Sequence, residues 1–188
     1  YMAPHRFDVA GLHGAEQRIG GTVAVEPMPD ATRLRQAVAL LHRRAEGRAG
    51  LIVEDKGRSV ALHWRLAPAL AGYAADAVAE AGHVLGSDYR VQDGKDVLEL
   101  LPRFATKGAA ISRFMGSEPY RGRTPYFVGD DRTDEHGFAV VAAMGGTGIR
   151  IGPGETVAAR RMDSPAVLRQ WLADCVRHET VHFEEDMS

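Results

Sequence analysis

Three features of the sequence predict an α/β fold. Short apolar segments with strand character alternate with longer segments in which apolar residues recur at helical spacing. Residues 22–102 show a helix followed by a hairpin twice in succession, which is typical of a small α/β unit of its own. An acidic turn, Gly-Asp-Asp-Arg-Thr-Asp-Glu at positions 129–135, separates a strand-like segment from a helix-like one. In open α/β sheets, ligands bind at turns of this kind.

The composition of the 188 residues is that of an ordinary globular protein, with 45% hydrophobic and 26% charged residues. The net charge of −2 indicates no overall basic field, so we expect no nucleic-acid partner. Cys175 is the only cysteine, which excludes an internal disulfide and fits the reducing cytoplasm. No apolar run is long enough to span a membrane, so we expect no membrane partner. Because the sequence begins with Tyr1 and not Met, we expect a piece of a longer chain.

The acidic turn is the segment that carries the most chemical information. The apolar residues 126–128 before it predict a buried strand, and Phe138 and Val141 after it recur at helical spacing. Asp134 and Glu135 would then lie at the start of a helix, where anions are favoured. Several carboxylates in one turn repel each other, and a hard cation such as Mg²⁺ relieves that repulsion. A helix cap with solvated acids is the alternative explanation.

The elements before the acidic turn are predicted from turn residues and apolar periodicity. Residues 7–10 form a strand candidate, and Gly11 and Gly14 allow a tight turn around His13. The middle unit is expected to be a small antiparallel sheet with helices on one face. Its predicted helices are 29–46 and 68–81, and its predicted strands are 22–25, 51–54, 59–65, 83–91 and 96–101.

Two helices of the remaining chain are predicted from their first residues. Lys107 lies in the first turn of a helix, where the dipole disfavours a cation unless the side chain faces an anion. A solvated surface lysine is the alternative. Ser164 and Pro165 begin the last helix as cap and first residue. We expect that helix to bury Val167, Leu168, Trp171 and Leu172.

The acidic turn resembles the motif Gly-Asp-Asp-x-Thr-Asp-Glu of the haloacid dehalogenase superfamily, in its trehalose-6-phosphate phosphatase branch. Four further segments resemble motifs of that branch in the right order. They are Gly-x-His-Gly-Ala-Glu at 11–16 with Arg18, Glu-x-Lys-Gly at 54–57 with His63-x-Arg65, Leu-Glu-x-x-Pro at 98–102, and Lys-Gly-x-Ala at 107–110. The resemblance therefore covers nearly the whole chain.

The resemblance implies a haloacid dehalogenase-like Rossmannoid core made of residues 1–21 and 103–188, with residues 22–102 inserted as an α/β cap. The nucleophile of that superfamily comes from an Asp-x-Asp motif on the first core strand. No Asp-x-Asp occurs in this sequence. We therefore expect the core to lack its first strand and to have a gap beside the strand at 126–128.

The resemblance also implies roles for particular residues. Lys107 would neutralise the phosphorylated nucleophile, Asp130 would bind Mg²⁺, and Asp131 and Asp134 would support the metal through water or lysine contacts. The cap and its approaches would bind trehalose 6-phosphate through His13, Glu16, Arg18, Glu54, Lys56, His63, Arg65 and Glu99. For His13 with Glu16, and for Glu54 with Lys56, a simple pairing across a turn is the alternative.

The function implied by the resemblance is that of a Mg²⁺-dependent trehalose-6-phosphate phosphatase in trehalose biosynthesis, with a functional link to trehalose-6-phosphate synthase. The 188 residues alone are expected to be inactive, because the nucleophile is missing. Two alternatives remain open. One is a phosphatase for another sugar phosphate, and the other is a non-catalytic sugar-phosphate-binding or regulatory domain.

Overall fold

The chain forms two compact units in the computed structural model, which describes residues 7–181 and 183. Unit 1 ends at Thr106 and unit 2 begins at Lys107. Residues 7–21 are grouped with unit 1 by their contacts. The predicted assignment of residues 1–21 to the core, of which 1–6 lie outside the described residues, stays a prediction.

Unit 1 consists of a three-stranded meander followed by two helix-and-hairpin repeats. The meander is antiparallel and has the order β1-β2-β3. The elements of unit 1 are β1 Val9–Gly11, β2 Glu16–Ile19, β3 Thr22–Val25, α1 Ala31–Ala45, β4 Ile52–Asp55, β5 Val60–His63, α2 Ala71–Leu85, β6 Tyr89–Gly94 and β7 Val97–Pro102. A single 3-10 turn, Pro68–Leu70, leads into α2.

The second sheet of unit 1 is antiparallel throughout, with strand order β4-β5-β7-β6. One of its faces packs on α1 and α2 in the largest apolar core, in which Leu41, Val78 and Leu85 from the helices meet Leu62 and Leu100 from the strands. Because side chains alternate along a strand, the residues between these point to the opposite face. The prediction of an antiparallel sheet with helices on one face is confirmed for four of the five predicted strands, whereas the strand predicted at 22–25 pairs with β2 in the meander instead.

The predicted boundary between α2 and β6 was wrong. Gly82 was expected to end the helix, but α2 continues to Leu85 and ends at Gly86, which has a φ of 76°. Gly82 is an interior helix residue, and its Cα faces the Leu100 side chain across the core. The predicted strand at 83–91 therefore begins only at Tyr89. The buried residues Val78, Ala81 and Leu85 continue the helical period past Gly82, which is the signal that outweighs the glycine.

Unit 2 is a three-stranded parallel sheet with helices. The sheet order is β10-β9-β8. The elements are α3 Lys107–Met115, β8 Tyr126–Gly129, α4 Glu135–Ala143, β9 Thr147–Ile151, β10 Arg160–Met162 and α5 Pro165–His178. Within the described residues β8 has a strand neighbour only on its β9 side, which agrees with the expected gap beside residues 126–128.

Helix α5 begins as predicted but does not bury its apolar face. The Ser164 hydroxyl accepts a hydrogen bond from the Val167 backbone, which caps the helix. However, Val167 and Leu172 are 45% and 47% exposed, and only Leu168 and Trp171 pack partly on the sheet. None of the helices in residues 7–181 has the length and apolar character needed to cross a membrane.

Candidate active site

The acidic turn of unit 2 is folded around the carboxylate of Asp134. Its Oδ2 atom accepts hydrogen bonds from the backbone N–H groups of Asp130, at 3.0 Å, and Asp131, at 2.9 Å. Asp134 is only 2% exposed, although it is a charged residue. A buried carboxylate must be matched by donors, and these two amides supply part of the match. Asp134 thus shapes the turn from inside.

Gly129 provides the space for that carboxylate. A Cβ atom on Gly129 would lie 2.5 Å from Oδ2 and 2.6 Å from Cβ of Asp134, well inside van der Waals contact. Any other residue at 129 would therefore push Asp134 out of the turn. The glycine that precedes the acidic residues is required by close packing.

Lys107 completes the set of donors around Asp134. Its Nζ atom donates to Oδ1 of Asp134 at 2.6 Å. Gly108 allows α3 to approach α4 closely enough for this, since a Cβ atom there would lie 2.7 Å from Cε1 of His136. The expectation that Lys107 faces an anion is correct: in the described residues the anion is Asp134, and Lys107 is not a solvated surface lysine.

Asp130 and Asp131 present their carboxylates at the outer side of the turn. Both residues are exposed, whereas Asp134 is engaged by Lys107 and by two backbone amides. No group of three or more acidic, histidine or cysteine side chains suited to a metal occurs in the described residues. A Mg²⁺ ion often takes only one or two protein carboxylates and completes its shell with water and phosphate oxygens. Asp130 fits one such ligand.

Glu135 connects the acidic turn to the loop that follows β9. Its Oε2 atom accepts from the backbone N–H of Val157 at 2.8 Å and from the Thr156 hydroxyl at 3.2 Å. Its Oε1 atom lies 3.7 Å from the Arg150 guanidinium. The sequence placed Glu135 correctly at the start of a helix but gave no indication of this loop contact, because the partners are more than 20 residues away.

A second polar cluster lies on the face of the unit 1 sheet that is turned away from α1 and α2. The register places Glu54, Ala61, Glu99 and Gln92 opposite one another on the four strands. They form one continuous row across the sheet, because directly opposed residues share a face. The row joins motif residues that are up to 45 positions apart in the sequence.

Glu99 is the centre of this cluster. Its Oε1 atom accepts from the Ser59 hydroxyl at 2.6 Å, and its Oε2 atom accepts from Lys56 at 3.0 Å. Nε2 of His13 lies 3.8 Å away. Burial alone would raise the pKa of Glu99, but the contacts with His13, Ser59 and Lys56 outweigh it and lower the pKa to about 2. Glu99 is therefore ionised at neutral pH.

Glu54 and His63 extend the cluster along β4 and β5. Nε2 of His63 lies 3.0 Å from Oε2 of Glu54, and Lys56 lies 3.9 Å from the same oxygen. Lys56 therefore stands between two carboxylates, Glu54 on its exposed side and Glu99 on its buried side. Its contact with Glu99 is shorter than that with Glu54, so the pairing of Glu54 with Lys56 alone does not describe the site.

His13 reaches the cluster from a strained turn. Leu12 and His13 both have positive φ angles, 47° and 56°, in a short 3-10 turn. Such angles cost non-glycine residues roughly 1–3 kcal/mol each and often occur at functional sites. Nε2 of His13 lies 3.4 Å from the amide nitrogen of Gln92, whose amide oxygen accepts from Arg90 at 3.1 Å. The motif analysis did not identify Gln92 or Ser59.

Three predicted substrate residues are not brought into this cluster. Arg18 donates to the carbonyl of Phe7, and Arg65 lies 3.6 Å from Asp96 at an exposed position. Glu16 lies on β2 opposite Gly11, in a different sheet from Glu99. Their predicted roles stay predictions, without support from the contacts of unit 1. Motif matching could not distinguish them from the other five, because spacing alone does not show which way a side chain points.

Comparison with known proteins shows which family the chain resembles. Residues 2–166 match the family model described as Trehalose-phosphatase. The chain is 41% identical over 170 residues to the trehalose-6-phosphate phosphatase of Escherichia coli K12, a match that spans 90% of the chain and 63% of that relative. It is 40% identical over 154 residues to a probable trehalose-phosphate phosphatase of Sinorhizobium fredii, spanning 81% of the chain and 57% of the relative.

Solved structures show the same fold. A trehalose-6-phosphate phosphatase related protein superimposes with a TM-score of 0.68 at 24% identity, over 86% of this chain and 68% of that one. The C-terminal domain of the Candida albicans trehalose-6-phosphate phosphatase also gives 0.68, at 20% identity, over 84% and 66%. The fold is thus that of the haloacid dehalogenase-like hydrolases, which also appear among the matched structures.

The chain belongs to the trehalose-phosphatase family. It spans 63% of the length of its Escherichia coli relative and 57% of the Sinorhizobium one. What those complete proteins do is therefore carried to this chain only as a proposal.

Proposed function

We propose that this chain is part of a Mg²⁺-dependent phosphatase that hydrolyses trehalose 6-phosphate to trehalose and phosphate. The observation that carries the proposal is the Glu54–Lys56–Glu99 cluster, found in a chain whose relatives are named trehalose-phosphatases. Ionised carboxylates accept hydrogen bonds and an ammonium group donates them. Such a set suits a ligand rich in hydroxyl groups, because each hydroxyl can both donate and accept.

The acidic turn would bind a phosphoryl group. In this proposal Asp130 holds Mg²⁺, which would neutralise charge on the phosphoryl oxygens. Asp134 holds the turn in shape and fixes the Lys107 ammonium through the 2.6 Å contact. Lys107 brings a positive charge to the same edge, and Asp131 would support the ion through water. In this proposal the side chains of the acidic turn and Lys107 thus supply the charges that bind the phosphoryl group and hold it in position.

The nucleophile of the proposed reaction is a carboxylate outside residues 1–188. No Asp-x-Asp motif occurs in this sequence, and in this proposal Asp130 is occupied by the metal and Lys107 by the phosphate, so neither serves as the nucleophile. The open edge of β8 and the partial coverage of the relatives are consistent with this proposal. The 188 residues alone should bind but not hydrolyse.

A non-catalytic sugar-phosphate-binding domain is the second candidate. The C-terminal domain of a Candida albicans trehalose synthase regulatory protein shares the fold, with a TM-score of 0.64 at 11% identity. The missing Asp-x-Asp and the absence of a three-residue metal cluster in the described residues favour this candidate for the chain by itself. Both candidates predict that the unit 1 cluster binds a sugar.

The experiment that tests the proposal is phosphate release from trehalose 6-phosphate in the presence and absence of Mg²⁺. Residues 1–188 should release no phosphate, whereas the complete product of the gene should do so only with Mg²⁺. Hydrolysis by residues 1–188 alone would contradict the assigned nucleophile. A complete product that binds trehalose 6-phosphate without hydrolysing it would favour the regulatory candidate.

The setting proposed for the protein is the cytoplasm, next to a trehalose-6-phosphate synthase. Support comes from the single cysteine, Cys175, which has no partner for a disulfide within the chain. The substrate itself supports the functional link, because a sugar phosphate must be supplied by a reaction that joins or phosphorylates sugars.

A further inference from the structure

The cluster of unit 1 contains one buried side chain that no motif assigns. Ser59 is 3% exposed, and its hydroxyl donates to Oε1 of Glu99 at 2.6 Å, a buried hydrogen bond between residues 40 positions apart. A serine in a hairpin could have the single function of stabilising the turn. In this hairpin the backbone already does so, because the Ser59 carbonyl accepts from the Lys56 N–H at 3.0 Å. The Ser59 side chain is therefore not needed for the turn, and its hydrogen bond acts on Glu99.

The register explains why Glu99 depends on Ser59. The residue directly opposite Glu99 on β5 is Ala61, whose methyl group cannot hold a carboxylate. Ser59 lies two positions before Ala61, so it is the diagonal neighbour of Glu99 on the same face. Glu99 consequently extends along this diagonal toward the hairpin that carries both Ser59 and Lys56.

The two oxygens of Glu99 are held from two sides. Ser59 binds Oε1 and Lys56 binds Oε2, so the rotation of the carboxylate is fixed. An ionised carboxylate has about four acceptor positions, so two contacts leave others for a ligand. A long side chain that is already ordered loses less rotamer entropy when it binds. Without Ser59, Oε1 would lose its hydrogen bond, because Lys56 and His13 both lie beside Oε2 and Lys56 also contacts Glu54.

We propose that Ser59 is a positioning residue for sugar recognition, which holds the Glu99 carboxylate in the orientation that accepts hydroxyl groups of the disaccharide. This inference rests on the proposed function, since it takes trehalose 6-phosphate as the ligand of the cluster. According to this inference Ser59 increases the affinity for the sugar and does not take part in the chemical step. Ser59 does not itself touch the reacting phosphate in this account.

The test uses three variants of the whole 188-residue chain: Ser59→Ala, Ser59→Thr and Ser117→Ala. Ser117 is the matched control, because its hydroxyl also makes one hydrogen bond, to the Arg113 carbonyl in unit 2. Calorimetry would measure the binding of trehalose 6-phosphate and of inorganic phosphate. A carbon-13 NMR titration would follow the Glu99 carboxyl group.

Ser59→Ala should bind trehalose 6-phosphate roughly tenfold more weakly than the parent, with phosphate binding unchanged. The Glu99 carboxyl should titrate at a higher pH in Ser59→Ala, because one hydrogen bond to the ionised form is lost. Ser59→Thr retains the hydroxyl and should restore both properties, and Ser117→Ala should change neither.

Equal binding by Ser59→Ala and the parent would overturn the inference, and so would equal losses in Ser59→Ala and Ser117→Ala. An unchanged Glu99 titration in Ser59→Ala would overturn it as well. If the parent chain failed to bind trehalose 6-phosphate, the proposed ligand would be wrong and the sugar role of Ser59 would be rejected with it. The Glu99 titration would then still show whether Ser59 orders that carboxylate, so the two failures are distinguishable.

Discussion

The carboxylate of Asp134 occupies the space that a side chain on Gly129 would require, at the point where β8 ends and the acidic turn begins. Asp134 accepts from two backbone amides and from Lys107, and it is almost completely buried. Asp134 therefore serves to build the turn, and the exposed Asp131 takes part through a capping box with the Asp134 backbone, while Asp130 is exposed. The acidic motif thus combines a buried structural carboxylate with exposed carboxylates, of which Asp130 is the proposed cation ligand.

The packing of Gly129 predicts that even a methyl group is not tolerated there. Gly129→Ala should lower the free energy of unfolding by roughly 1–3 kcal/mol, because the Asp134 carboxylate must move. Gly72→Ala is the control: Gly72 lies in α2 with no atom within 4 Å of its added Cβ, and alanine should stabilise that helix. Urea unfolding of both variants measures the difference. Equal stability of Gly129→Ala and the parent would contradict the described packing.

Asp130 and Asp134 should respond differently to replacement by asparagine. Asp130→Asn removes an exposed carboxylate, so the fold should be retained or even gain stability from reduced repulsion, and Mg²⁺ binding should be lost. Asp134→Asn removes the charge opposite Lys107 at a buried position, so the melting temperature should fall. Mn²⁺ titration and thermal unfolding separate the two effects. Wild-type ion binding by Asp130→Asn would reject Asp130 as a metal ligand.

The cluster of unit 1 should affect sugar phosphates more than simple phosphate esters. In the complete gene product, Glu54→Ala or Lys56→Ala should impair hydrolysis of trehalose 6-phosphate much more than that of an aryl phosphate, which has no sugar hydroxyls. Glu80→Ala is a matched control, since it removes an ion pair with Arg44 between α1 and α2. Equal losses on both substrates would indicate a folding defect and not a recognition defect.

The low pKa of Glu99 predicts an acid-dependent loss of stability. The pKa falls from 4.5 to about 2 on folding, so the folded state favours the ionised form. This contribution is complete above about pH 4.5 and is lost as the pH falls toward 2. At neutral pH it is on the order of 3 kcal/mol. Glu99→Gln should flatten the pH dependence of unfolding in that window, and an unchanged profile would contradict the contacts described for Glu99.

The sequence predicted most elements because their local signals agree with the fold. The Asp30 cap of α1, whose carboxylate accepts from the Thr32 and Arg33 amides, and the Ser164 cap of α5 are local features of this kind. The predicted end of α2 was wrong because a glycine is a local stop signal, whereas core packing favours a longer helix. The burial of α5 was overestimated because periodicity gives the direction of an apolar face but not how much of that face other residues cover.

The site was predictable to the extent that it follows the motifs. Lys107 and Asp134 meet as expected, and five of the eight predicted substrate residues converge on one sheet face. Ser59 and Gln92 were missed because their importance comes from strand register, which pairs residues far apart in sequence. Conversely, Arg18 and Arg65 lie close to other motif residues in the sequence, but their side chains contact residues outside the Glu99 cluster.

The most direct measurement for the central claim is the rate of phosphate release by the complete gene product from trehalose 6-phosphate, compared with glucose 6-phosphate under identical Mg²⁺ concentrations. The Glu54–Lys56–Glu99 cluster is proposed to bind sugar hydroxyl groups, and glucose 6-phosphate lacks those of the second glucose ring. We expect kcat/KM to be higher for trehalose 6-phosphate than for glucose 6-phosphate by roughly two orders of magnitude. This ratio corresponds to the loss of two recognition contacts at about 1.4 kcal/mol each. Comparable kcat/KM values for the two substrates would contradict the proposed trehalose specificity.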